Sequence, residues 1–280
     1  MQHAKHWLIT GISSGFGRAL AEAALRRGDR VTGTVRTESA RAALRRDAPE
    51  GAVVRLLDVR DEAAVHATVA ATEREDGPID IVVNNAGYGL VAGIEEASLA
   101  EVREQFEVNV FGAIAVMQAV LPYLRARRAG RLINISSVSG LVGWASLGVY
   151  TGSKFALEGI CETLAQEVSP LGVHVILIEP GGFRTDFAGR SRARSAREIA
   201  DYDASVGANR RILQQHAGHE PGDPARAAQA ILRVADAEHP PLRLLLGTDA
   251  LGYAARKLQQ QIAEIEAWRN LSQSTDFATG

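Results

Sequence analysis

The amino-acid sequence predicts an α/β fold: a single doubly wound domain whose central parallel sheet has seven strands, with helices on both faces. Short apolar runs alternate with helix-like segments along the 280 residues. Runs such as Ile81-Val82-Val83 are apolar at successive positions, as expected for strands that are covered on both faces. No internal repeat or Pro/Ser-rich linker marks a domain boundary, so one domain is predicted over 1–280.

Seven apolar or β-branched runs are predicted as the strands of this sheet, and helix-like sequence separates them: 7–10, 30–36, 52–59, 79–83, 131–135, 173–178 and 242–246. The least regular stretch, about 181–224, is predicted as a loop or short-helix flap near the ligand site. The amphipathic segment of about 250–270 is predicted as a C-terminal helical extension. The sequence leaves three roles open for this extension, which are to cover the pocket, to bind a partner or to pack on the core.

Composition and charge exclude several classes of function. The net charge of −2 and the pI of about 6.4 provide no overall attraction for nucleic acid or for an anionic membrane. Cys161 is the only cysteine, which excludes an intrachain disulfide and a cysteine-based metal cluster. No apolar run reaches the roughly 18 residues of a membrane helix, and the N-terminal residues lack a signal-peptide pattern. We therefore expect a cytoplasmic protein that binds neither nucleic acid nor membrane.

A glycine-rich segment, Thr10-Gly11-Ile12-Ser13-Ser14-Gly15-Phe16-Gly17, lies between the first predicted strand and the first predicted helix. Glycine lets the backbone approach a pyrophosphate closely, and the N-terminus of a helix favours anions. We interpret the segment as the phosphate-binding loop of a dinucleotide site. The alternative is a glycine-rich turn with no ligand.

The residues after the second predicted strand indicate which dinucleotide binds. An acidic residue at this point binds the ribose of NAD, whereas an Arg accommodates the 2′-phosphate of NADP. Val35 occupies the position expected for the acid, and Arg36 follows it. A guanidinium binds phosphate through paired charge-assisted hydrogen bonds, and Ser13 and Thr37 offer hydroxyl donors nearby. The sequence therefore predicts NADP(H) as the cofactor, and a solvated Arg36 is the alternative.

Ser137, Tyr150 and Lys154 form the predicted chemical centre. Tyr150 and Lys154 are four residues apart in a helix predicted to begin near Tyr150, so both project from one face. A lysine ammonium about 4 Å from a phenol, in an effective dielectric of about 20, stabilises phenolate by about 4 kcal/mol, or up to about three pK units. We therefore expect a Tyr150 pKa lowered towards neutrality and a role as acid and base. Ser137, at the end of the fifth predicted strand, is expected to hydrogen-bond the substrate oxygen.

These motifs, together with Asn84-Asn85-Ala86-Gly87 and Pro180-Gly181, occur in an order that resembles the short-chain dehydrogenase/reductase family over 7–247. The resemblance implies a Rossmann-type fold and an oxidoreductase that transfers a hydride between a nicotinamide cofactor and a carbonyl or secondary alcohol. It implies a homodimer or homotetramer formed through helices near 99–125 and 150–168. It also implies Asn109 as a fourth catalytic residue, which supports a water-linked proton path to Lys154.

The same resemblance assigns further contacts with the cofactor. Asp58 is assigned to the adenine amino group, with the Val59 amide beside it, and Thr185 to the nicotinamide carboxamide. Asp58 is equally compatible with an exposed helix cap, because a helix is predicted to begin near Asp61. The other assigned residues are Asn85, Ala86, Gly87, Tyr150, Lys154, Pro180, Gly181 and Phe183.

Apolar residues near the predicted centre favour a lipophilic ketone or aldehyde as the substrate, although each is equally compatible with the core. They are Val138, Leu141, Val142, Trp144, Phe183 and Phe187. The flap carries several arginines that acidic residues offset, so a solvated flap is expected. The arginines are Arg184, Arg190, Arg192, Arg194 and Arg197, and the acids are Asp186, Glu198, Asp201 and Asp203.

Other classes of protein fit the sequence less well. A serine hydrolase would need G-x-S-x-G, which is absent, and His174 lies inside a predicted strand. A metallohydrolase is disfavoured because H-E-x-x-H is absent and His216 with His219 has no convincing third ligand. A non-catalytic NADP-binding sensor is the alternative to an enzyme, but a sensor has no use for the combined Ser, Tyr and Lys set.

Overall fold

A computed structural model describes residues 4–47, 52–185 and 192–277. The strands are β1 (His6–Ile9), β2 (Arg30–Val35), β3 (Ala52–Leu56), β4 (Ile81–Asn84), β5 (Gly89–Val91), β6 (Gly130–Ile135), β7 (Val173–Pro180), β8 (Arg192–Arg194) and β9 (Arg243–Leu246). Seven of them form a parallel sheet in the order β3-β2-β1-β4-β6-β7-β9. The chain runs from β1 outward to β3 and then crosses to β4 on the other side of β1. The predicted seven-stranded doubly wound fold is confirmed.

Helices cover both faces of this sheet. The α-helices of the described residues are α1 (Gly15–Arg26), α2 (Glu38–Asp47), α3 (Glu62–Ala71), α4 (Leu99–Phe106), α5 (Gly112–Arg127), α6 (Gly148–Val168), α7 (Ala208–Gln215), α8 (Pro224–Asp236) and α9 (Thr248–Gln273). Successive strand residues point to opposite faces. Trp7 and Ile9 pack into the core under α1 and α8, whereas Leu8 packs into the core under α3, α5 and α6. Two apolar cores explain why the strands are apolar at every position.

One helical stretch in the described part of the chain, Leu99–Arg127, is long and apolar enough to cross a membrane by length and composition alone. In the structure, 61% of the apolar 18-residue segment within this stretch is buried inside the protein. Val116, Val120 and Leu124 of this stretch pack in the core beneath the sheet. Its apolar character is therefore explained by packing in the core.

The ends of two strands differ from the predicted ranges in a way that bears on the ligand site. β3 stops at Leu56, because the chain turns at Asp58, whose carbonyl accepts from the Asp61 amide. Asp58 and Val59 consequently lie in a loop at the carboxyl edge of the sheet. β7 extends to Pro180, two residues beyond its predicted end, because Pro180 is paired with Leu246 of β9.

A second, two-stranded sheet pairs β5 with β8 in parallel, and Gly89 lies opposite Arg192. The sequence pattern does not predict this sheet, because each strand has only three residues. β5 follows Asn85-Ala86-Gly87 closely along the chain. The second sheet therefore places part of 181–224 beside the carboxyl edge of the main sheet.

Candidate active site

A cavity of about 980 Å³ opens at the carboxyl edge of the main sheet, where ligands of this fold class bind. Residues that follow β1, β2, β4, β6 and β7 line it, so separate parts of the chain meet at one place. The predicted site residues in its wall are Gly11, Ser13, Ser14, Gly15, Phe16, Arg36, Asp58, Val59, Asn85, Ala86, Gly87, Ser137, Val138, Trp144, Tyr150, Lys154, Pro180, Gly181, Phe183 and Thr185.

The glycine-rich loop forms one end of this cavity. Gly11 (φ +73°) and Gly15 (φ +58°) adopt left-handed backbone conformations that favour glycine. A Cβ on Gly17 would overlap Asn85 Nδ2 and the Gly11 carbonyl, so Gly17 permits close packing of α1 instead of lining the cavity. Ser14, at the N-cap of α1, makes no side-chain capping bond, and the first turn contains no acidic residue. The backbone N–H groups of this turn are therefore suited to a pyrophosphate.

Hydrogen bonds beneath the loop join three neighbouring strands of the sheet. Thr10 Oγ1 accepts from the Asn85 amide at 3.0 Å. Asn85 Nδ2 donates to the carbonyls of Thr10 and Gly11 at 2.9 and 2.8 Å. Asn84 Nδ2 donates to Asn134 Oδ1 at 2.9 Å. This network holds the glycine-rich loop against the segment after β4, so both present backbone to the same cavity.

Arg36 lies at the edge of the cavity directly after β2. Its side chain is exposed, and it makes no hydrogen bond or ion pair within the described part of the chain. The neighbouring wall contains Asp58, whose carboxylate accepts from Arg60 Nε at 3.0 Å. The hydrogen bond from Arg60 lowers the pKa of Asp58, and the charge of Arg36 also contributes. The guanidinium of Arg36 is therefore accessible to an anionic ligand, beside a carboxylate that is ionised.

The helix-cap alternative for Asp58 is wrong. The residue that caps α3 is Asp61, whose side chain accepts from the Ala64 amide at 2.9 Å. Asp58 instead lines the cavity, close to Val59. Its assignment to an adenine amino group stays a prediction.

Ser137 and Tyr150 meet at the centre of the cavity wall. Ser137 follows β6, and Tyr150 lies in the first turn of α6, which begins at Gly148. The Ser137 hydroxyl and the Tyr150 phenol are hydrogen-bonded. Tyr150 is only 6% exposed, so the phenol is shielded from bulk water. A substrate oxygen placed here would contact both hydroxyl groups.

Lys154 lies one helical turn after Tyr150 and is buried beside it. Its Nζ donates to the Ile135 carbonyl at 2.8 Å and lies 5.8 Å from the centre of the Tyr150 ring. Burial lowers the pKa of Lys154 to about 8, and the charge of Glu158 opposes this effect.

The pKa of Tyr150 moves in the opposite direction to the sequence-based prediction. Burial raises it to about 12, partly offset by the hydrogen bond from Ser137 and by the charge of Arg192. The predicted lowering towards neutrality is therefore wrong for the protein on its own, because residue spacing locates Lys154 but does not show how deeply the phenol is buried. At neutral pH Tyr150 is a protonated phenol, able to donate a proton.

Asn109 lies behind the cavity wall and is not part of its lining. It belongs to a π-helical turn, Glu107–Phe111, a feature that is frequent at functional sites. Asn109 Nδ2 donates to the Tyr88 carbonyl at 3.0 Å and to Ser153 Oγ at 3.1 Å, and Ser153 Oγ donates to the Tyr150 carbonyl at 2.7 Å. Asn109 thus braces the first turn of α6. Its part in a water-linked path to Lys154 stays a prediction.

The turn after β7 is held by a residue that sequence analysis did not single out. Asp249, in the first turn of α9, accepts from the Gly182 amide through Oδ2 at 2.7 Å. A Cβ on Gly181 would overlap the same carboxylate. Asp249 lies 67 residues after Gly182, so no local pattern connects the two.

Phe183 and Thr185 continue from this turn towards the glycine-rich loop. The rings of Phe183 and Phe16 pack with centroids 5.1 Å apart. Thr185 lies against Gly15, since a Cβ on that glycine would be 3.6 Å from Thr185 Cβ. The predicted contact of Thr185 with the nicotinamide carboxamide stays a prediction.

The opposite end of the cavity combines an apolar wall with polar side chains. Trp144 packs edge-on against Tyr253 of α9, with ring centroids 4.6 Å apart, and Leu147, Ile212 and Leu213 extend this wall. Three residues of α7 and the residue at its C-cap line the wall and are spaced at i, i+3, i+4 and i+7. They are Asn209, Ile212, Leu213 and His216. This helical spacing is a signal that would have located the wall in the sequence.

Two residues predicted for the substrate pocket do not line it. The amides of Leu141 and Val142 both donate to the Val138 carbonyl, so the chain turns after Val138 and carries these two side chains outside the cavity lining. Their assignment to the pocket is therefore corrected. Phe187 lies outside the described residues, as do Asp186 and Arg190.

Arg192 departs from the expected solvated flap. Its side chain is half-buried in the cavity wall, and Nη1 donates to the Leu213 carbonyl at 3.4 Å. Its positive charge acts on Tyr150 and favours the phenolate. Arg194 and Arg197, in contrast, are exposed and pair with nearby glutamates. The expectation of a solvated flap is wrong at Arg192 because the β5–β8 pairing brings this residue to the cavity.

Comparison with known proteins shows the family to which the chain belongs. The family model of the short chain dehydrogenases matches residues 5–196. The crystal structure of a short-chain dehydrogenase from Streptomyces avermitilis is similar, with 41% identity and a TM-score of 0.91, over 99% of this chain and 100% of that one. The chain belongs to the short-chain dehydrogenase family, whose members are oxidoreductases that bind a nicotinamide cofactor.

Two further similar proteins are informative, one because its name gives a substrate and the other because it was solved with a bound cofactor. A 3-ketodihydrosphingosine reductase from Bacteroides thetaiotaomicron is 35% identical over 241 residues, which cover 86% of this chain and 87% of that protein. A family member from Burkholderia phymatum, solved in complex with NAD, is 27% identical with a TM-score of 0.79, over 92% of this chain and 95% of that one.

Proposed function

We propose that the protein is an NADP(H)-dependent reductase that converts the carbonyl group of a lipophilic ketone or aldehyde into an alcohol. The observation that carries this proposal is the meeting of Ser137, Tyr150 and Lys154 in the same cavity as the glycine-rich loop. A dinucleotide-binding loop and a buried proton donor in the wall of one cavity are what hydride transfer to a carbonyl requires.

The residues at the loop end fit a phosphorylated dinucleotide. Gly15 and the uncapped first turn of α1 would present backbone N–H groups to the pyrophosphate, and Arg36 would bind the 2′-phosphate of NADP. No acidic residue occupies the end of β2, where NAD-binding proteins hold the ribose. When bound, the cofactor supplies the hydride that the carbonyl carbon accepts.

The chain's own residues supply the proton and hold the substrate. Ser137 Oγ and the Tyr150 phenol bind the carbonyl oxygen, and the buried phenol donates its proton to that oxygen as negative charge develops there. The tyrosinate that remains lies beside the Lys154 ammonium, whose positive charge stabilises it until a proton returns from solvent. A pKa of about 12 keeps Tyr150 protonated at neutral pH, which supports reduction as the working direction.

The walls of the other end support a lipophilic substrate. Trp144, Leu147, Ile212 and Tyr253 supply apolar surface in the same cavity as Tyr150, beside polar side chains such as Asn209 and His216. The similarity to a 3-ketodihydrosphingosine reductase, named for a ketone substrate, supports the same class. Long-chain or polycyclic ketones are therefore the substrates that we propose.

A non-catalytic NADP-binding sensor is the alternative function. It would keep the glycine-rich loop and Arg36 but would not need a buried phenol hydrogen-bonded to a serine. The two functions differ in one observable, the consumption of NADPH in the presence of a carbonyl compound.

We further propose that the enzyme acts in the cytoplasm as a homo-oligomer. Its single thiol, Cys161, is buried and unpaired, as is usual in a reducing compartment. Leu99 on α4 and Phe155 on α6 are 68% and 44% exposed, which supports association through the helices predicted for this role.

The experiment that tests the function is a turnover assay with NADPH and a panel of ketones, steroids and acyl thioesters. We expect turnover of neutral ketones, with efficiency that increases as the apolar part grows. Efficient use of anionic thioesters alone would contradict the apolar pocket. Tight NADPH binding without turnover of any carbonyl compound would favour the sensor.

A further inference from the structure

Helix α9 consists of two parts with different surroundings. Its first two turns belong to the body of the protein, since Ala250 and Ala254 are buried and Asp249 and Tyr253 line the cavity. Beyond them, every residue in the run 258–277 is exposed. The second part of α9 therefore projects away from the rest of the described chain.

The projecting part carries an apolar stripe. Leu258, Ile262, Ile265 and Trp268 occupy positions i, i+4, i+7 and i+10, which fall on one side of a helix, and each is 59–65% exposed. Leu251 lies one heptad before Leu258 and extends the stripe towards the body. We call these five residues the α9 stripe.

A helix with this stripe needs a partner. An isolated helix is marginally stable in water, because most helical stability in proteins comes from packing an amphipathic face against other elements. Packing on the core, one of the three roles predicted for the segment, is excluded for the described residues beyond Ala254, since all but Lys257 are exposed. An apolar stripe of this length is typical of an interaction surface.

The charges beside the stripe favour a protein partner over a lipid surface. The polar residues of 255–277 include three basic and three acidic side chains: Arg256, Lys257, Arg269, Glu264, Glu266 and Asp276. Helices that lie on anionic membranes instead carry an excess of Lys and Arg. Lys257 and Glu264 are seven residues apart and therefore lie on the same edge of the stripe.

We propose that the α9 stripe binds the α9 stripe of a second copy of this chain, with the two helices antiparallel about a two-fold axis. This arrangement places Lys257 of each copy opposite Glu264 of the other, so the two edges are complementary in charge. It also places the two protein bodies at opposite ends of the helix pair. The stripe of each copy then covers that of the other.

The stripe is long enough for two helices to pack side by side. Leu251 and Trp268 are 17 residues apart, which is about 26 Å of helix at about 1.5 Å per residue. This interface is separate from the faces of α4 and α6 that carry Leu99 and Phe155, so it operates whether or not those faces also associate.

The first test compares molar masses by sedimentation equilibrium. The double variant Leu258→Glu/Ile265→Glu places two charges in the stripe and is expected to halve the mass of the wild-type assembly. The matched control Gln260→Glu/Ala267→Glu adds the same charges, seven residues apart, on the opposite exposed face of α9. The control is expected to keep the wild-type mass. Equal masses for the wild type and the stripe variant would overturn the proposal.

The second test addresses the antiparallel pairing. Lys257→Glu alone and Glu264→Lys alone each place like charges opposite one another and are expected to weaken association at low salt, whereas the double charge swap is expected to restore it. Failure of the double swap to restore the wild-type mass would contradict the pairing. Cosedimentation of the wild type with phospholipid vesicles, lost in Leu258→Glu/Ile265→Glu, would show that a membrane covers the stripe and would overturn the proposal.

Discussion

The two ends of the cavity are constructed differently. The loop end consists of residues that closely follow strands, such as Gly11 after β1 and Asn85 after β4, and hydrogen bonds from the Asn85 side chain to backbone carbonyls hold them in place. The other end, where we propose that the substrate binds, consists of Trp144 and Leu147 together with side chains from α7, β8 and α9, which come later in the chain. We call it the substrate end. At the first end, backbone N–H groups are suited to bind phosphate. At the second end, side chains form the surface, so substitutions there can alter the surface without disturbing the sheet.

This difference separates residues that serve any substrate from those that select one. Tyr150 and Ser137 lie between the two ends and contact the reacting oxygen in the proposed reaction. Changes at these residues or in the glycine-rich loop should affect every substrate equally. Changes at Trp144 should affect the binding of large substrates only. Changes at Arg192 should affect how the activity depends on pH.

The largest effect is expected for Tyr150→Phe. This variant removes the proton donor, so carbonyl reduction should fall by about a thousandfold for every substrate. Binding of NADPH should be nearly unchanged, because the loop end is intact. Turnover by Tyr150→Phe at more than a tenth of the wild-type rate would show that another group supplies the proton.

Gly17→Ala is expected to disrupt the loop end. The added Cβ overlaps Asn85 Nδ2 and the Gly11 carbonyl, so overpacking should cost about 1–3 kcal/mol and weaken NADPH binding. Thermal unfolding and cofactor titration measure the two effects. Gly159→Ala, a helical glycine with open space around it, is the control and should not destabilise the protein. Unchanged NADPH affinity in Gly17→Ala would contradict the role of close packing in the loop.

Trp144→Ala should affect the substrate end alone. Loss of an indole from the apolar wall is expected to raise KM for a long-chain ketone by about tenfold while leaving small ketones and NADPH binding nearly unchanged. Leu141→Ala is the control, because Leu141 lies three residues before Trp144 but does not line the cavity. Similar KM changes in the two variants would show that the apolar wall does not bind the substrate.

The smallest effect is expected for Arg192→Ala. The charge of Arg192 favours the phenolate, so its removal should raise the pKa of Tyr150 further above its ordinary value. Alcohol oxidation, which requires the phenolate, should then shift to higher pH and slow about threefold at neutral pH. Arg194→Ala, on the same strand but exposed, should leave the pH profile unchanged. A shift to lower pH in Arg192→Ala would contradict this electrostatic role.

Local motifs explain why the sheet and the loop end were predictable from sequence. The Gly11–Gly17 loop, Asn85 and the Tyr150–Lys154 pair each have a short, characteristic spacing next to a strand or within one helix. The pKa of Tyr150 was not predictable, because burial depends on residues from the whole chain. Sequence analysis missed Asp249 and expected Arg192 to be solvated for a similar reason. They reach the cavity through a helix and a three-residue strand whose contacts are distant in sequence.

The most direct test of the central claim is a titration with NADPH and with NADH, followed by the fluorescence of the three tryptophans. The wild type should bind NADPH more tightly than NADH. Arg36→Ala should lose about tenfold or more in NADPH affinity with little change for NADH, because paired hydrogen bonds to the 2′-phosphate are lost. Arg41→Ala, whose guanidinium pairs with Glu38, is the control and should resemble the wild type. Equal affinities for the two cofactors, unchanged in Arg36→Ala, would contradict the proposed dependence on NADP(H).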